Sequence, residues 1–145
     1  TPHDLYYRPN SRFVADFIGQ ANFLHATVRA DWAGGLSFES KLGPMQATRI
    51  PEFAQGEGRE VTLAIRPEAI RRGKYEIHPD LNTFRAGISA VTYLGETTQY
   101  RLNVEDAEHH FVEIMELNRG PNLLHENDVV SWWVDPEHVM VLPRD

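Results

Sequence analysis

Val61-Thr62-Leu63-Ala64-Ile65-Arg66-Pro67-Glu68-Ala69-Ile70 is the stretch that decides the fold. Val61, Leu63 and Ile65 alternate with Thr62, Ala64 and Arg66, the period of two that predicts a strand with one buried face. Pro67 ends that strand, because it has no N–H to offer a neighbour and it holds Arg66 extended. Glu68-Ala69-Ile70 then has room only for a turn or a short helical piece. The centre of the chain is a strand with a rigid stop, and strand-rich sequence lies on both sides. Arg66-Pro67-Glu68 reads as the seam between two β-rich halves.

Before the seam, Leu24, Ala26 and Val28 alternate with Phe23, His25 and Thr27, which predicts a first strand. Trp32-Ala33-Gly34-Gly35 and Gly43-Pro44 read as turns, with short strands at 36–38 and 45–47, and Pro51 to Arg59 as a loop. Gln20-Ala21-Asn22 reads as a loop as well. Further upstream, Thr1-Pro2-His3-Asp4 has the form of a helix start that Pro9 stops. Phe13, Val14, Phe17 and Ile18 recur at helical spacing before Gly19. After the seam, Arg71 to Asn82 is polar and contains Pro79. Strands follow at 86–94, 99–104, 110–117, 129–134 and 139–142, with turns at Gly95-Glu96 and Asn118 to Asn122. Short strands at spacings of roughly 8–12 residues, broken by Gly and Pro, predict a sandwich or small barrels. The fold class is mainly β: OB-like barrels of short strands with short N-terminal helices. The boundaries are a helical segment 1–22, a first barrel half 23–72, a linker 73–83 and a second barrel half 84–145. Ile65-Arg66-Pro67-Glu68 is echoed by Val134-Asp135-Pro136-Glu137, two similar corners whose shared sequence is too short to establish a duplication.

At 145 residues the chain is one domain or two very small ones. It can bury about two-thirds of its unfolded surface and needs no covalent staples. It has no cysteine, which excludes disulfides, thiolate zinc sites and cysteine nucleophiles. The net charge of -7 disfavours a nucleic-acid backbone as partner. No apolar run approaches the ~20 residues of a membrane span, and no signal peptide is evident. The first residue is not Met, so the chain reads as a soluble piece of a longer protein.

Neither a G-x-x-x-x-G-K-[ST] nor a G-x-G-x-x-G phosphate loop occurs. His109 and His110 sit near Glu113, but adjacent residues on a strand face opposite ways and cannot easily share an ion. His125-Glu126-Asn127-Asp128 reads as a solvated turn, and Glu105, Asp106 and Glu108 as a hairpin tip able to attract a cation such as a polyamine. Trp132 and Trp133, with Trp32, have the composition of a base-stacking barrel, yet the acidic balance favours core and interface aromatics. Arg66 and Glu68 flank Pro67, where a ligand or partner contact competes with a local ion pair.

Thr1-Pro2-His3-Asp4-Leu5-Tyr6, Pro9 and Arg12 to Gly19 resemble the junction that follows the nucleotide-binding domain of ABC importer ATPases. Ala64-Ile65-Arg66-Pro67-Glu68 resembles the corner of the regulatory domain appended to those ATPases. Val91-Thr92-Tyr93-Leu94-Gly95-Glu96, followed by Tyr100-Arg101-Leu102, resembles its TOBE core, and Trp133-Val134-Asp135-Pro136-Glu137 with Val139 to Leu142 its close. The resemblance implies a C-terminal regulatory and dimerisation domain of OB-like barrels, in the manner of polyamine, iron(III) or phosphonate importers, with polyamine uptake preferred. It makes 1–22 the link from an absent ATPase domain. Walker A, the signature and Walker B are missing, so no catalytic, cofactor or metal residue carries over. ATP and Mg belong to the missing domain. The implied partners are a second copy of the domain and, through the parent ATPase, the transporter's membrane subunits; the implied location is cytoplasmic, peripheral to the inner membrane. Arg66, Glu68, Trp132 and Trp133 are the candidate ligand or interface residues, and Tyr93, Leu94 and Gly95 read as structural. The alternatives are a free-standing OB-type binder of nucleic acid or a small ligand, and a metal-dependent enzyme using His109, His110 and His125.

Overall fold

The computed structural model describes residues 21–32, 35–51, 54, 56–73, 82–104, 111–118 and 122–143. Among the described residues, ten strands make two five-stranded antiparallel sheets. In chain order they are β1 (Asn22–Trp32), β2 (Gly35–Ser40), β3 (Gly43–Ala47), β4 (Glu60–Ile65), β5 (Ile70–Arg72), β6 (Thr83–Leu94), β7 (Thr97–Asn103), β8 (Phe111–Leu117), β9 (Val129–Val134) and β10 (Met140–Pro143). The strand orders are β10-β4-β1-β2-β3 and β5-β9-β6-β7-β8. The expected N-terminal helices fall in 1–20, outside the described residues. Among the described residues the helical pieces named as elements are two 3₁₀ turns, Pro67–Ala69 and Pro136–His138.

The two orders are one order written twice. The seam at Pro67 carries the chain out of β4, in the first sheet, into β5, at the edge of the second. The corner at Pro136 carries it back from β9 into β10, at the edge of the first. Each sequence half supplies four strands of one sheet and the outer strand of the other. The register repeats in detail. Arg71 opposite Trp133 and Arg72 opposite Trp132 match Met140 opposite Ala64 and Val141 opposite Leu63. β1 breaks register against β2 between Val28 and Ala30, and β6 breaks it against β7 between Ile88 and Ala90. A bulge of this kind bends a strand and lets a small sheet curl towards a barrel. Beside the first bulge, the Val28 amide donates to the Arg59 carbonyl and the Gly58 amide to the Val28 carbonyl. At the second bulge, Ile88 donates to Asp128 and Asn127 to Ile88. Gly58 (φ 85°) and Asn127 (φ 74°) hold the same left-handed backbone, where glycine and asparagine are favoured. The echo of two Pro-Glu corners is the visible end of a structural repeat that runs through the described strands of both halves.

β4 is buried along Val61–Ile65 on both faces, not on one. Val61, Leu63 and Ile65 join a core that runs through both sheets. Ala64 packs on the opposite face with Phe23 and Leu142. β3 includes Gly43 and Pro44, which the sequence reading gave to a turn. The turn lies at Lys41-Leu42 instead, and Pro44 is tolerated because β3 is an edge strand.

Candidate docking surface

Two asparagines join the halves at equivalent places. The Asn22 side chain accepts from the Glu113 amide (2.7 Å) and donates to the Glu113 carbonyl (2.8 Å). The Asn82 side chain accepts from the Gln46 amide (2.6 Å) and donates to the Gln46 carbonyl (3.0 Å). Each carboxamide presents an N–H and a C=O side by side, as a peptide group does, and so satisfies a free edge position of β8 or β3 like one residue of an added strand. The first corner packs on β8 and the second on β3, again as equivalents. Sequence reading placed both asparagines in loops. The signal that could have found them is their shared position, one or two residues ahead of a phenylalanine that is the second residue of its strand, Phe23 and Phe84.

The second sheet carries a latch between its outer strands. From β5, Arg72 pairs with both oxygens of Glu116 on β8 (2.5 and 3.3 Å) and donates through Nη1 to the Asn122 carbonyl (2.7 Å). This joins the sheet's two outer strands. Arg72→Ala is expected to cost about 1–3 kcal/mol, since a forked, partly buried charge pair and a carbonyl contact are lost together. Arg101→Ala removes the more exposed pair with Glu113 and is expected to cost under ~1 kcal/mol. Urea midpoints of the two variants check the contrast.

The sequence-predicted site residues that are described differ in exposure. Arg66 and Glu68 form a loose, exposed ion pair with Nη1 3.7 Å from Oε1, worth ~0–1 kcal/mol. Trp132 is fully buried, against Tyr100, with its indole N–H directed at the Ala86 carbonyl (3.4 Å). Of the tryptophan pair, only Trp133 reaches the surface, half-buried, opposite Arg71 and Thr83. His109, His110, Glu105, Asp106 and Glu108 lie outside the described residues. The His125 amide donates to Asp128 Oδ2 (2.8 Å) in an exposed turn. Among the described residues no three metal-ligating side chains cluster, and no helix is long and apolar enough to cross a membrane.

What the surface does offer is apolar. Tyr93 (58% exposed), Leu94 (50%) and Leu117 (63%) crowd the far end of β6, β7 and β8. Register puts Leu94 beside Thr97 and Thr97 beside Leu117, one row on the outward face, because the alternate β7 residues Thr98, Tyr100 and Leu102 point into the core. Tyr93 lies opposite Thr98 at the barrel's open end. Gly95 turns the hairpin at φ 77°. Asn118 then ties the tip down: its amide donates to the Glu96 carbonyl (2.8 Å), and its side chain bonds the Gly95 carbonyl and the Thr98 hydroxyl. The tip is therefore a held, preformed apolar surface. Of the family-like turn residues, Gly95 makes the turn while Tyr93 and Leu94 face solvent.

The TOBE domain model matches residues 63–142, from the end of β4 through β10. The chain belongs to the TOBE-domain family. It is 35% identical over 149 residues to the spermidine/putrescine import ATP-binding protein PotA of Rubrobacter xylanophilus, covering 97% of this chain and 36% of the relative. PotA of Thermobifida fusca is 32% identical, with coverages of 99% and 37%. PotA of Pseudomonas aeruginosa strain UCBPP-PA14 is 38% identical, with 74% and 30%. The TOBE chain thus spans about a third of the length of these curated relatives. Its fold matches the cytoplasmic molybdate-binding protein ModG, solved with molybdate bound, at a TM-score of 0.67 and 12% identity, over 84% of this chain and 95% of that one. At that identity the likeness shows the fold alone: the OB-like barrel architecture. The resemblance to the TOBE-type regulatory domain of an ABC importer ATPase holds along nearly the whole chain.

Proposed function

We propose that this chain is the regulatory and dimerisation domain of the ATP-binding subunit of a polyamine importer, without catalysis of its own. The similarity of almost the entire chain to PotA proteins carries the reading. Its work is contact: with a second copy across the ATPase dimer and, through the parent subunit, with the transporter's membrane components at the cytoplasmic face of the inner membrane. ATP and Mg are held by the parent's nucleotide-binding domain. The held apolar row of Leu94 and Leu117 supports a docking role, because exposed apolar side chains grouped at one place mark interaction surfaces. The net charge of -7 supports a partner other than nucleic acid.

Deleting this domain from the parent subunit tests the proposal. ATP turnover by the remaining nucleotide-binding part is expected to persist. ATP-driven uptake of labelled spermidine, or its decline as internal polyamine accumulates, is expected to change several-fold. Unchanged uptake with an unchanged internal-polyamine response would overturn the regulatory reading.

A further inference from the structure

We propose that the outer face of the first sheet, where β10, β4 and β1 lie side by side, is a docking surface for this chain's own residues 11–20. Alternation sets that face. Val61, Leu63 and Ile65 point into the core, so Thr62 and Ala64 point out. Register places Met140, Ala64 and Phe23 in one outward row, and Leu142, Thr62 and His25 in the next. The outward face of an antiparallel sheet ordinarily meets water. Here Leu142 is 0% exposed, Thr62 2%, Ala64 3% and Phe23 8%. Among the described residues, the further apolar side chains packed on Phe23, Ala64 and Leu142 are Ala21 and Met140. An alanine and a methionine of the same row cannot roof four residues. The cover therefore comes from chain outside the described residues.

The repeat supplies an internal comparison. The equivalent outward residues of the second sheet are Arg71, Trp133 and Thr83, then Ser131 and Arg85. Both arginines are exposed and the other three are half-buried. A polar run, 74–81, leads into that sheet at Asn82, whereas 1–20 leads into the first sheet. The apolar, buried outer face thus belongs to the sheet that the longer and more apolar run enters. Within that run Phe13, Val14, Phe17 and Ile18 recur at helical spacing, which gives one apolar stripe. Ile18 stands three residues before Ala21, itself part of the outer cluster, so the backbone holds the two within about 11 Å. Laying the stripe on the face removes apolar surface from water on both. This inference does not rest on the transport reading and survives its failure.

The absence of native cysteine makes the test direct. Met140→Cys sets a thiol on the face, and Arg71→Cys sets one at the equivalent place on the second sheet. Each is combined, in the full chain, with a single cysteine at every position from 11 to 18 in turn, and treated with a short bismaleimide. One or more of these positions is expected to link to 140 within the chain at least tenfold faster than to 71. Leu142→Cys gives a second readout. Its alkylation by iodoacetamide is expected to quicken at least tenfold when Phe13→Ser and Phe17→Ser are added. Val141→Cys, on the core face, is expected to stay slow in the same background and so reports that the barrel is folded. The proposal would be overturned by links no faster to 140 than to 71. Links to 140 that form only between chains would overturn it as well, and would give the face to a second copy. So would a Leu142→Cys thiol that stays equally slow after both phenylalanines are replaced.

Discussion

Asn82→Ala is expected to cost about 3–5 kcal/mol, a large share of the roughly 5–15 kcal/mol that holds a domain of this size together. Three effects coincide at one fully buried residue. The carboxamide satisfies both the amide and the carbonyl of Gln46, and its loss leaves two part-buried polar groups without partners, at up to about 1–3 kcal/mol each. The backbone stands at φ 47°, a left-handed conformation that asparagine accepts and alanine resists by about 1–2 kcal/mol. The Asn82 carbonyl also receives the Val134 amide (3.2 Å), so a backbone that relaxes away from strain pulls on β9. Two further substitutions separate the terms. Asn82→Gly keeps the conformation and loses only the clasp, and is expected to fall about 1 kcal/mol short of the alanine cost. Asn82→Asp still accepts from the Gln46 amide but sets a second oxygen against the Gln46 carbonyl, and is expected to be at least as damaging as alanine. Asn22→Ala, where no left-handed backbone is involved, should resemble the glycine variant. Urea unfolding followed by tryptophan fluorescence reads all four. A cost below ~1 kcal/mol for Asn82→Ala would mean that the clasp does not hold the β3 edge.

Trp132→Ala is the second large change. The side chain is fully buried and lies against Tyr100, with ring centroids 6.3 Å apart. Truncation removes the largest fully buried side chain in the described core and opens a cavity among rigid strands; losses of about 3–5 kcal/mol are typical for such a change. Trp132→Phe keeps much of the volume and gives up the indole bond to the Ala86 carbonyl, so about 1–2 kcal/mol is expected. Trp133→Ala, next along β9 but half-buried on the outer face, is expected to cost less than half as much as Trp132→Ala. The midpoint of thermal unfolding orders the three. A Trp133 effect equal to that of Trp132 would contradict the facing of β9.

Local chemistry made much of this fold legible. Pro67 and Pro136 each end a strand where the chain must turn, and both corners were readable from the missing N–H and the fixed φ of proline. The alternation of Leu24, Ala26 and Val28, and of Tyr100, Leu102 and Val104, marks inward faces that are buried. The strand exchange was not legible, because nothing local distinguishes a strand that returns to its own sheet from one that crosses. The asparagine clasps escaped notice for a related reason: Asn22 and Asn82 look like loop residues until the distant edges they cap are in view. β4 looked half-buried because Thr62 and Ala64 are small and weakly apolar. Their burial comes from neighbours far along the chain, such as Leu142. On the surface, Trp132 and Trp133 carry equal weight as letters, and only the facing of β9 separates core from exterior. The apolar tip reads in the sequence as a family-like turn, and only the burial of each residue in the fold shows that Leu94 and Leu117 are exposed.

The crossing of the corners bears on how the protein is made. β10 completes the sheet that β1 begins, so the ribosome must finish residues 140–143 before the first sheet can gain its outer strand. Until then the emerging chain carries a bare edge at β4, a template for any passing extended segment. Nascent chains halted ahead of Met140 should therefore be the form that chaperones seize.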